Sequence, residues 1–157
     1  MKPENRQIEA FRKFLEKLPH GQDQDLVILK GHLLIEVQVR LIIEKKLSNP
    51  AALSKTKISC HQAICLAQSF FPQDHNTKFW EALIELNKIR NSIAHNIDPV
   101  GLQDKIDKFI KSIPIEWEAS SKQQEFELMI WVLFVHVSSF VEGVMADGMD
   151  LFIPDVS

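Results

Sequence analysis

Residues 25–47 read DLVILKGHLLIEVQVRLIIEKKL, from Asp25 to Leu47. Wound at 3.6 residues per turn, Leu26, Val27, Leu29, Leu33, Leu34, Val37, Leu41 and Ile42 cover most of the helix circumference. A helix that is apolar on several sides belongs at the centre of a helical bundle. On this rod His32, Glu36 and Arg40 follow one another at i, i+4 and i+8, so their side chains form one polar stripe. Two readings of the stripe stand: an intrahelical Glu36–Arg40 ion pair, partly solvated, or a polar face turned toward a site on a neighbouring helix.

Working outward, the chain breaks at Pro19-His20-Gly21, Ser48-Asn49-Pro50, Phe71-Pro72-Gln73, Ile97-Asp98-Pro99 and Ile113-Pro114. These breaks predict helices over 4–18, 25–47, 58–70, 77–96, 102–112 and 122–146. Only five glycines, no tyrosine, no alternating strand-like runs and no Asn-Gly or Asp-Gly hairpin signal support an all-α class. Short connections between the helices predict an up-and-down antiparallel bundle of about five to six helices, with 1–157 as one domain.

Composition sets the outer limits. At 157 residues, 45% hydrophobic and 25% charged, the chain has globular character, and a chain of this size buries roughly two-thirds of its unfolded surface without needing a metal or disulfide. Eighteen basic against 21 acidic residues, a net charge of −3, provide no broad cationic field for duplex DNA or anionic lipid. Any nucleic-acid contact is therefore local. Met1 leads into Lys2, Glu4 and Arg6 with no apolar signal core, and Cys60 and Cys65 are the only cysteines, so a reducing, cytoplasmic setting is expected. Leu128 to Met145 is apolar enough to raise the question of a membrane span. His136, Ser138, Ser139, Glu142 and Gly143 interrupt it, and it reads as a buried or subunit-interface helix.

The predicted helix 77–96, TKFWEALIELNKIRNSIAHN, holds the most informative residues. Phe79, Ala82, Leu86, Ile89 and Ile93 share one apolar arc, and Glu81, Glu85, Lys88 and Ser92 form a solvent face. A third arc mixes Asn87, Arg90, Asn91 and His95 with Trp80, Leu83 and Ile84 nearer the helix start. It has the character of an interface or a site, and the apolar part predicts a homodimer surface. At a helix C-terminus Arg90 and His95 also complement the macrodipole, a purely structural role.

Arg90-Asn91-Ser92-Ile93-Ala94-His95 resembles the Arg-x4–6-His motif of the HEPN superfamily, including the polar residue that often follows the arginine. The segment around Gly31 to Glu36 is similar to the acidic second helix of some HEPN-like groups. The resemblance implies a small, HEPN-like helical bundle, typically dimeric, and in many members a metal-independent endoribonuclease, here a toxin or defence effector with an antitoxin or regulatory partner. It would make Arg90, Asn91 and His95 the catalytic set, supported by Glu36 and His32, with no cofactor or metal. The mannitol-operon repressor family is similar in helix order too, and implies instead a catalytically silent binding or dimerisation module.

The chemistry suits RNA. Cleavage without metal requires the substrate's 2′-OH to lose a proton and attack phosphorus while the leaving 5′-oxygen gains one, and a histidine titrates in the range that serves either step. An arginine holds phosphate bidentately and offsets charge on its equatorial oxygens. Arg90 and His95 are about 140° apart on one helix, so a two-fold dimer would complete a clamp that one copy lacks. Glu36 is expected within hydrogen-bonding reach of Arg90 or Asn91, orienting the guanidinium. Elsewhere, Cys60, His61 and Cys65 match no common zinc spacing and read as structural. His20, His75 and His136 read as loop or core histidines, and Trp117 as an inter-helix anchor. No paired-acid constellation suggests two-metal chemistry.

Overall fold

Asp23 starts the first long helix: its carboxylate accepts from the backbone N–H of Asp25 at 2.9 Å and of Leu26 at 3.3 Å, satisfying two donors that no helical carbonyl can reach. In the computed structural model, which describes residues 9, 12–14, 16–18, 23–113, 115 and 118–145, that helix is α1, Gln24–Lys46. Asp25 in its first turn and Lys45 and Lys46 in its last complement the macrodipole. After Asn49, Pro50 opens a single turn, α2, Pro50–Leu53, where Ser48-Asn49-Pro50 predicts only a break. Next come α3, Cys60–Gln68; α4, Thr77–His95; α5, Leu102–Ser112; and α6, Lys122–Met145.

The described residues contain no strand, and the chain is all-α. The long helices match the predicted spans to within two residues at each end, and α3, predicted from 58, begins at Cys60. There Ser59 and Gln62 form a reciprocal capping box, Gln62 N–H to Ser59 Oγ at 3.1 Å and Ser59 N–H to Gln62 Oε1 at 2.8 Å. The Ser-x-x-Gln signature placed the true start at Cys60. Gly101, at φ 72°, turns the chain into α5 through the left-handed region that glycine enters without penalty. Most of the predicted helix 4–18, with His20 and Trp117, lies outside the described residues. Its described part includes Phe14 and Leu18, both buried in the core.

α1 packs mainly on α6 and also on α3 and α4, while α4 packs mainly on α5. The apolar run of α6 is long enough to cross a membrane by length and composition, and more than half of it is buried inside this fold. The tightest approach of α1 to α6 is at Gly31, where an added Cβ would sit 2.8 Å from Ile130 Cδ1 and 2.9 Å from its Cγ2. Gly31→Ala regains about 1 kcal/mol of helix propensity and incurs an overpacking cost of about 1–3 kcal/mol. A net loss of about 1 kcal/mol is expected in urea unfolding, opposite in sign to a glycine-to-alanine change on an open helix face.

Two expectations about faces need correction. α1 is not buried all round: Val27, Ile28, Ile35, Val39, Ile42 and Ile43 face the core, but Leu26, Leu29, Leu33 and Val37 lie exposed along the other side, Leu33 at 59%. Trp80 and Leu83, expected on an outward dimer surface, are core residues at 0% and 2% exposure, and Ile84 is half-buried. Trp80 stacks on Phe140 at 5.5 Å and meets Phe71 at 5.6 Å and Phe79 at 5.9 Å between ring centroids. His75 joins the same cluster, stacked on Phe71 at 4.9 Å, so the loop between α3 and α4 is pinned by aromatic contacts. α4 packs on four neighbours and buries two arcs, where a surface helix buries one.

Candidate functional site

The polar stripe of α1 meets α3 and α4 at one junction. His32, 4% exposed, points one ring nitrogen at Glu36, Nδ1 to Oε2 at 3.7 Å. The other faces Asn87 on α4, Nε2 to Oδ1 at 3.1 Å, and Cys60 on α3, Nε2 to Sγ at 3.4 Å. Asn87 is as deeply buried as His32. Arg40 donates to Glu36 Oε1 from Nε at 3.0 Å and from Nη2 at 2.7 Å, and Nη2 also reaches the Ile58 carbonyl at 3.2 Å. The Glu36–Arg40 pair of the first reading thus forms, and His32 makes contacts to two neighbouring helices.

Burial sets the charge state of this junction. It drives the His32 pKa down, with Arg90 adding to the effect and Glu36 and Asn87 opposing it. It pushes the Cys60 thiol up to about 11, with Glu36 adding and Arg40 and Arg90 opposing. At neutral pH the pair is an imidazole against a thiol.

Arg90 stands at the edge of the same junction, near enough for its charge to act on both His32 and Cys60. The residue is half-buried, and its guanidinium donates from Nη1 to Asn91 Oδ1 at 3.0 Å. Among the described residues no carboxylate lies within ion-pair distance of it. The expected bond from Glu36 to Arg90 or Asn91 does not form, because Arg40, one turn along α1, takes one carboxylate oxygen and His32 faces the other. His95 lies at the exposed end of α4, roughly 7–8 Å further along the helix axis than Arg90. Near it, Lys105 on α5 donates from Nζ to Ser92 Oγ at 2.6 Å, and Asn96, the residue that ends α4, donates from Nδ2 to the Ser92 carbonyl at 3.1 Å.

The structure thus gathers His32 and Glu36 into one cluster, sets Arg90 and Asn91 beside it and leaves His95 outside. Cys60 and Asn87 complete the cluster, and sequence reasoning gave neither a role there. Asn87 carried a signal, since it shares the polar arc of Arg90 and cannot be buried without a partner. Cys60 carried none, because its neighbour His32 is 28 positions away. A separate cavity of about 700 Å³ opens where α1 meets α2, lined by Arg40, Glu44, Leu47, Ser54 and Lys57 among others, and touches the cluster only through Arg40. No protein-family model, curated protein or solved structure matches this chain.

Proposed function

We propose that the chain is a HEPN-like, metal-independent endoribonuclease that cuts RNA through Arg90 and His95. The supporting observation is the state of Arg90: a half-buried residue whose guanidinium is steadied by a neutral amide and faces no carboxylate among the described residues. Such a cation is ready for a phosphate, because binding one breaks no existing ion pair. His95, exposed five residues on, supplies the proton-transfer group. Asn91 orients Arg90, and the buried His32–Asn87 bond holds α1 against α4 behind it. Glu36 keeps a structural role through Arg40.

The same proposal includes the up-and-down antiparallel order of the helices, a cytoplasmic location, an antitoxin or regulatory partner, and a homodimer that brings two Arg90–His95 pairs together. The net charge of −3 favours a particular RNA or a delivering partner over general RNA degradation. Incubating purified protein with total cellular RNA in EDTA tests the reading: cleavage leaves 2′,3′-cyclic phosphate ends and fails where a 2′-deoxy nucleotide stands at the cut. Cleavage that requires an added metal ion would overturn it.

A second reading, the catalytically silent binding or dimerisation module, draws on the exposed stripe of Leu26, Leu29, Leu33 and Val37. The stripe lies on a helix with Asp23 and Asp25 at one end and Arg40, Lys45 and Lys46 at the other. Two copies packed antiparallel would set these opposite charges against each other. Under this reading Leu33→Glu converts a sedimenting dimer to monomer while changing unfolding free energy by no more than about 0.5 kcal/mol. A wild type that sediments as monomer removes it.

A further inference from the structure

We propose that His32, Glu36 and Cys60 form a binding site for one zinc-class divalent ion. One ligand atom from each residue lies within 4.8 Å of the other two. Tetrahedral zinc with nitrogen, oxygen and sulfur ligands sets its donors about 3.3–3.8 Å apart. The 3.4 Å between His32 Nε2 and Cys60 Sγ already meets that spacing, whereas the Glu36 carboxylate, whose Oε2 faces the other ring nitrogen, Nδ1, at 3.7 Å, must swing to the Nε2 side to join the same ion.

Each donor is held by an independent local feature. His32 and Glu36, at i and i+4, share one face of α1. Cys60 is the first residue of α3, and the Ser59–Gln62 capping box holds that turn. Arg40 fixes one oxygen of Glu36 and leaves the other toward His32, an outer contact that orients a ligand. Asn87 Oδ1, 3.1 Å from His32 Nε2, gives up its hydrogen bond to that nitrogen when the ion binds and offers a neutral oxygen for a fourth position.

The donor chemistry selects the ion class. A sulfur, a nitrogen and a carboxylate suit zinc, whereas calcium and magnesium require all-oxygen shells. On binding, the Sγ–metal bond forms and the thiol proton passes to solvent. Two positive charges enter and one proton leaves, so the junction gains one positive charge, which the Glu36 carboxylate offsets beside Arg40 and Arg90. Half-buried Cys60 provides the route in from solvent, while buried His32 and Asn87 close the inner side. The bound ion ties the start of α3 to the middle of α1.

The test uses the full chain without an affinity tag, with Co²⁺ as optical probe and Zn²⁺ as competitor. One Co²⁺ per chain, a thiolate-to-cobalt charge-transfer band and its loss on adding Zn²⁺ are expected. At a free Zn²⁺ concentration 100-fold above Kd, Tm rises by about 5–10 °C. Cys60→Ser abolishes the band and weakens Zn²⁺ at least about 100-fold, and Glu36→Gln weakens it at least about tenfold. The exposed pair on α3, His61 Nε2 to Cys65 Sγ at 3.7 Å, is the control: the double variant His61→Ala, Cys65→Ser keeps the band. No thiolate band on the wild type, or a band that survives Cys60→Ser and vanishes in the control, overturns the proposal. Because readout is optical and thermal, the result stands apart from RNA cleavage in EDTA.

Discussion

On the proposed mechanism His95→Ala is expected to lower the rate of RNA cleavage by about 10²–10⁴-fold, the usual worth of a positioned proton-transfer group. Arg90→Ala is expected to lower it by about 10²–10³-fold through lost stabilisation of charge on the phosphate. Both proteins stay folded, because His95 is exposed at the end of α4 and the described hydrogen bond of Arg90 goes only to its neighbour Asn91. Their circular dichroism and Tm should match the wild type within error, which separates lost chemistry from lost structure. Arg90→Lys keeps the charge and forfeits bidentate geometry, so it recovers only part of the rate. Single-turnover assays on a labelled RNA provide the measurement. If both alanine variants cleave as the wild type does, the nuclease assignment of this pair fails.

Trp80→Ala should be the most damaging single change to the fold among those discussed. The ring is fully buried and packs on Phe71, Phe79 and Phe140, joining α4 to α6 and to the loop before α4. Truncating a buried tryptophan costs about 3–5 kcal/mol from lost burial and the cavity left behind. For a chain of this size that lowers Tm by about 6–20 °C, readable by calorimetry or urea unfolding. Had Trp80 lain on an open surface, as its place on the third arc of α4 suggested, the change would fall within about 0.5 kcal/mol. The two outcomes differ enough to test the burial directly.

The helices were legible in advance because their signals are local. Pro50, Pro72, Pro99 and Pro114 mark breaks between helices, whereas the caps at Asp23 and Ser59 set the starts of α1 and α3 one and two residues away from those that the breaks predict. The core arc of α4 was also legible: Phe79, Ala82, Leu86 and Ile89 recur at helical spacing and are buried. Less legible was the inward side of a helix apolar all round. In α1, Leu33 and Ile35 are near neighbours of similar hydropathy, and one is exposed while the other is buried. Periodicity cannot separate them when apolar residues occur on every face of the helix, since the asymmetry it relies on then nearly vanishes.

By itself the sequence determined the all-α class, the long helices to within about two residues and the placing of Arg90, Asn91 and His95 at the end of one helix, since each depends on residues within a few positions of one another. Tertiary structure decided which of those residues meet anything else. Glu36 could pair with Arg40 or reach Arg90, and the pairing one turn away won because helix geometry presents that partner without moving another element. The meeting of His32, Cys60 and Asn87 depends on how α1, α3 and α4 pack, with partners 28 and 55 positions from His32. No local rule carries that information, because contacts between distant segments are set by the joint burial of several faces at once.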